Sequence, residues 1–236
     1  MKKNKLIFCL MIGVLHTFIQ AQEYIFPIQP GTTEWATLLT HNDMLKVCQV
    51  PDNYLKTMTT KDVIITCLNY PLKFDFYAYN NLIDGIKKVA ANFNGLQELF
   101  SRKDNAECLF NIWQKTNIET LLDKTQYQRG ELIVKQSLIE AFLTHEYVIV
   151  NATIEQQKTI AEIAMKNMEL KEQHPKWYSS KYSLGTSAYL LCTILKRINN
   201  GAILSPELES FLDIGTLESG VQIEELKQTY YNTLMK

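Results

Sequence analysis

Apolar residues recur at helical spacing along most of the chain. Ile86, Val89, Ala90 and Phe93 fall at i, i+3, i+4 and i+7, as do Ala106, Leu109, Phe110 and Trp113, and again Ala161, Ala164, Met165 and Met168. Leu184, Ala188, Leu191, Cys192, Leu195 and Ile198 form one longer stripe, and Ile223, Leu226, Tyr230 and Leu234 form another. Each set puts its side chains on one face of an amphipathic helix. The prolines agree with this reading. Pro27 and Pro30 precede the first periodic segment, and Pro51, Pro71, Pro175 and Pro206 fall between segments, where a residue without an N–H is tolerated. Thr153 with Gln156 makes a capping box. Thr40 with Asp43 and Thr59 with Asp62 are acidic versions of it, Ser205-Pro206 is an N-cap and N1 pair, and Asn199-Asn200-Gly201 is a stop.

These signals predict helices near 33–49, 52–58, 60–69, 76–93, 95–101, 104–116, 129–144, 154–173, 183–198, 206–213 and 221–234. Tyr147–Val150 alone looks strand-like, and beside a helix end it is expected to be a helix extension or a buried connector. Glycine is scarce and alternating runs bounded by turns are missing, which argues against an all-β fold. The expected fold class is all-α, an irregular multi-helix array of helical hairpins, either α-solenoid-like or an orthogonal bundle. No fixed repeat period supports a regular array.

The first residues follow a different pattern. Lys2, Lys3 and Lys5 precede an apolar run from Leu6 to Ile19, and Ala21 supplies a small residue before Gln22. This layout reads as a signal peptide over 1–21. The run is shorter than the roughly 20 apolar residues that cross a bilayer. Cys9 lies inside it behind bulky Phe8, which argues against lipid attachment there. Residues 22–236 are then expected to form one helical domain, within which 27–104 is a candidate N-terminal subregion. No second long apolar run occurs, so no transmembrane segment is expected in the mature chain. Losing the three leader lysines takes the net charge from −1 to −4. That balance argues against nucleic acid as a partner. The protein is expected to be exported and to be periplasmic, extracellular or associated with the cell surface.

Motifs that carry chemistry are missing. His145-Glu146 begins like a zinc-protease helix, but Ile149 stands where the second histidine must be. His41 and His174 are isolated. No GxSxG, SxxK, GxGxxG, phosphate loop or EF-hand loop occurs, so neither a catalytic residue nor a cofactor or metal is implied. Glu155, Glu162 and Glu169 recur at heptad spacing, which marks a solvated face before an acid/base pair. Two aromatic clusters can be read as core or as a recognition platform. One is Tyr70, Phe74, Phe76, Tyr77 and Tyr79; the other is Trp177, Tyr178, Tyr182 and Tyr189. Trp177, Tyr178 and Tyr182 are the candidate interaction surface. Cys48 and Cys67 are the best disulfide candidates, since an exported chain meets an oxidising compartment; the alternative is two thiols packed as small apolar groups.

Several segments in the N-terminal half carry a resemblance. They are Pro30-Gly31-Thr32, Glu34-Trp35, Cys48-Gln49-Val50-Pro51, Met58-Thr59-Thr60, Cys67-Leu68-Asn69-Tyr70-Pro71 and Asn92-Phe93-Asn94-Gly95-Leu96. Over about residues 27–104 the chain resembles a group of uncharacterised exported all-helical proteins of Gram-negative bacteria. The resemblance implies an envelope location and membership of Cys48 and Cys67 in the shared pattern; it carries no activity. The leading expectation is a non-catalytic helical domain that binds a protein partner in the cell envelope. An envelope hydrolase acting on peptide or glycan, or a small-ligand-binding protein, is the alternative.

Overall fold

Threonine and serine set most of the helix starts. In the computed structural model, which describes residues 22–116, 121, 124–178, 182–199 and 204–235, reciprocal capping boxes join Thr40 to Asp43, Thr59 to Asp62, Thr125 to Gln128, Thr153 to Gln156 and Ser219 to Gln222. Each satisfies backbone N–H groups that a helix start leaves without partners. The expected signal peptide, 1–21, lies outside the described residues, as do Asn200 and Gly201 of the expected stop.

Among the described residues the chain is all-α, without strands. Its α-helices are α1 (Thr33–Ala36), α2 (His41–Val47), α3 (Asp52–Thr57), α4 (Thr60–Leu68), α5 (Leu82–Ala90), α6 (Asn94–Ser101), α7 (Asn105–Trp113), α8 (Gln126–Leu143), α9 (Glu146–Ile149), α10 (Ile154–Glu172), α11 (Leu184–Ile198), α12 (Pro206–Ile214) and α13 (Gly220–Leu234). A 3-10 turn, Lys73–Tyr77, precedes α5.

Two expected helices are divided. The span 33–49 is broken because Thr40 takes an extended N-cap conformation and starts α2 afresh. The span 76–93 is broken because Asn81 caps α5: its Oδ1 accepts the Asp84 N–H at 2.8 Å. Asn81 also donates through Nδ2 to the Ile214 carbonyl at 2.7 Å, so one side chain closes the start of α5 and the end of α12. Gly215, at φ 73°, follows that carbonyl, and a Cβ there would press on the Asn81 amide at 2.6 Å. The strand-like stretch near Tyr147 is the short helix α9.

Packing runs mostly between neighbours in the chain. α4 meets α6 and α7, α5 lies on the 3-10 turn and α6, and α10, α11, α12 and α13 pack on one another. Gly85 permits the contact with the 3-10 turn, because a Cβ there would fall 1.9 Å from the Phe76 carbonyl oxygen. α8 joins the two groups, touching α5, α7 and α9 on one side and α11 on the other. One core runs through both groups, from Phe26 to Tyr230. Its N-terminal part is aromatic: Tyr70 stacks on Phe93 at 4.1 Å and meets Phe76 edge-on at 6.2 Å.

Two of the segments that carry the resemblance are clasped together. Gln49 donates to the Asn92 carbonyl and accepts from the Asn94 N–H, while Asn94 pairs through both amide atoms with the backbone of Val50. Nearby, Cys48 and Cys67 are both fully buried and both free. The disulfide is therefore not formed. Each thiol packs instead as a small apolar group, and burial pushes the Cys48 thiol up to about 12. Cys108 and Cys192 are free as well.

Candidate functional site

The residues with the most reactive chemistry converge where water does not reach. Residues 136–143 of α8 are all buried, although they include Gln136, Ser137 and Glu140. Glu140 faces Lys171 of α10, and both side chains are fully buried. Lys171 Nζ lies 3.0 and 2.8 Å from the two Glu140 oxygens, 2.9 Å from the Ser183 carbonyl and 2.8 Å from Ser187 Oγ. Thr186 Oγ1 and Ser187 Oγ donate to Glu140 at 2.6 and 2.8 Å. Burial pulls the Lys171 ammonium below the ordinary lysine value, and the adjacent carboxylate opposes that shift.

A serine hydroxyl 2.8 Å from a lysine nitrogen suggests a nucleophile and its base. The bonding pattern assigns other roles. An ammonium has three donors and no acceptor. Lys171 directs its donors at four oxygens, and the Ser187 hydroxyl donates its hydrogen bond to Glu140. The lysine thus holds a charge that the carboxylate balances, and the knot fastens α8, α10 and α11. The sequence contained a signal for it. Lys171 continues the stripe of Ala164 and Met168 at +3, where an apolar residue belongs.

The other half of α8 is open. Tyr127 and Phe74 are 75% and 73% exposed and line one groove of about 840 Å³ with Lys73, Gln126, Glu131 and Val134. A second groove, on Arg129, Ile133, Lys176 and Trp177, shares Gln126 and Gly130 with the first. Lys73, Arg129 and Lys176 outnumber the single acid, Glu131, whose carboxylate already accepts the Tyr127 hydroxyl at 3.2 Å.

The expected surface of Trp177, Tyr178 and Tyr182 is rearranged. Tyr178 is buried, packed with Leu121 in a small satellite core, and cannot present itself to a partner. Trp177 is half-buried, with the Arg129 guanidinium 4.0 Å from its ring centre and the His174 ring stacked at 5.0 Å. Tyr182 meets Tyr77 edge-on at 5.3 Å. Tyr189 bonds the Leu212 carbonyl. The first aromatic cluster splits: Tyr70 and Phe76 are core, while Phe74 and Tyr79 are exposed.

The three described histidines have different partners. His41 pairs with Asp75 at 3.1 Å, His174 stacks on Trp177, and His145 stacks on Phe100 at 3.7 Å. Among the described residues no three His, Cys, Asp or Glu side chains gather as a metal site would require. Of the three glutamates at heptad spacing, Glu155 and Glu162 are exposed and Glu169 is half-buried. No family model, curated protein or solved structure matches the chain.

Proposed function

We propose that this chain is an exported, non-catalytic helical protein that binds a partner protein in the cell envelope through the outer half of α8. The observation that carries the reading is the pair Phe74 and Tyr127. They are the most exposed aromatic side chains among the described residues, and they lie in one groove. Exposed apolar patches rimmed by polar groups mark recognition sites, and aromatic anchors supply much of the energy there. The cations beside the groove select the partner's chemistry: an apolar segment flanked by carboxylates. The layout of residues 1–21 and the resemblance over 27–104 support the location. A hydrolase is less favoured, because the serine, lysine and glutamate that converge are dry and already engaged with one another.

The test is photo-crosslinking in intact cells, with benzoylphenylalanine placed at position 74, at position 127, or at Tyr231 of α13 as a control. The expected result is one discrete adduct shared by positions 74 and 127, absent at 231, and lost when Lys73 and Arg129 are both changed to Glu. Adducts of equal yield at all three positions, or none at 74 and 127, refute the reading.

A further inference from the structure

A further cleft shares no residue with the α8 grooves. It lies between the ends of α5 and α6 and the short helix α9, and has a volume of about 690 Å³. That is within the range of small-molecule sites, about 300–1,000 Å³. Its apolar walls come from Ala90, Ala91, Phe100, Tyr147 and Val150. Tyr147 and Val150 are 60% and 56% exposed, so the apolar surface is open to an incoming molecule.

The lysines of the cleft stand among the neutral polar side chains Gln97, Ser101 and Asn151. Lys87 and Lys103 flank it, no carboxylate lines it among the described residues, and neither lysine makes an ion pair among them. His145 stands at its wall, held flat against Phe100 with 12° between the ring planes. Its Nδ1 is buried and has no hydrogen-bond partner among the described residues. Buried polar atoms are rarely left unpaired, and those that are point to a missing partner. Burial, with a smaller contribution from Lys87, lowers the His145 pKa, while Glu146 raises it; the net shift favours the neutral ring.

We infer that this cleft is a binding site for a small apolar carboxylate, whose hydrocarbon body lies on Phe100, Tyr147 and Val150 and whose charged end meets Lys87 and Lys103. The His145 ring supplies an additional polar contact at the wall. Specificity comes from the two lysines, with no carboxylate among the described residues that line the cleft to repel the ligand; Glu146 lies in the adjoining pocket. Association is reversible and involves no covalent step.

The test uses 2-naphthoate and decanoate as probes, with 2-naphthalenemethanol and decanol as neutral counterparts. Calorimetric titration of the mature protein is expected to give saturable 1:1 binding of at least one carboxylate, with its neutral counterpart about tenfold weaker. Val150→Trp and Ala91→Trp, which fill the cleft from two different walls at exposed positions, should each abolish that binding while leaving the thermal midpoint of the free protein nearly unchanged. Lys87→Gln with Lys103→Gln should reduce carboxylate affinity about tenfold and leave the alcohol unaffected. Binding that persists in both Trp variants, carboxylate and alcohol affinities that stay equal, or no saturable binding of either carboxylate would each overturn the inference.

Discussion

The two halves of α8 follow opposite rules. Residues 136–143 are buried without exception and contain Gln136, Ser137 and Glu140. Residues 126–135 are exposed or half-buried and contain Tyr127, Leu132, Ile133 and Val134. Local composition accounts for burial of Leu138, Ile139, Ala141, Phe142 and Leu143, but would have predicted exposure for Gln136, Ser137 and Glu140. The difference lies in the partners. Polar groups in the inner half meet Lys171, Thr186 and Ser187, which arrive from α10 and α11. Among the described residues none covers the Tyr127 side chain of the outer half, so it keeps apolar surface available. Burial of a charge is decided by what comes to meet it, and a helix can therefore be structural at one end and adhesive at the other.

The largest effect should come from breaking the inner knot. Lys171→Met leaves the Glu140 carboxylate buried without its counter-charge and should cost about 3–5 kcal/mol. Adding Glu140→Leu should recover most of that loss, because neither charge then remains in the interior. Urea unfolding of the two variants measures both terms, and a double variant less stable than Lys171→Met would break the comparison.

Gln136 sharpens it. Both amide atoms of Gln136 are buried and lack a hydrogen-bond partner among the described residues. Gln136→Leu should therefore stabilise the protein, by about 1–2 kcal/mol. A loss of stability instead would mean that the amide serves a partner within the inner half.

The smallest of the three effects belongs to the outer half, which is held by its cap more than by burial. Thr125 accepts the Gln128 N–H, and Gln128 returns a bond to the Thr125 N–H. Thr125→Ala should cost about 1 kcal/mol. Hydrogen exchange should quicken over residues 126–133 and stay unchanged over 136–143. Equal acceleration of both halves would show that α8 opens as one unit.

Most of the fold was legible in the sequence, because helices are local. Stripes such as Leu184 to Ile198 report a buried face whatever covers it, and Thr153 with Gln156 and Ser205 with Pro206 form the caps that their spacing indicated. Even the break at Thr40 was written in its own capping signal with Asp43. The site was less legible. Trp177, Tyr178 and Tyr182 stand close in sequence, yet Tyr178 turns inward, and the exposed anchors Phe74 and Tyr127 are 53 residues apart. Cys48 and Cys67 lie one short helical turn-back apart in sequence, yet remain free thiols. Periodicity tells which residues are buried on a helix of its own, so the sequence determined the helices, their ends and most of the core. Tertiary structure alone decided that Glu140 and Lys171 share a dry knot, that His145 stacks on Phe100, and that two aromatic residues meet in a groove. Those outcomes depend on contacts between segments distant in the chain, and no local pattern encodes which segment will arrive.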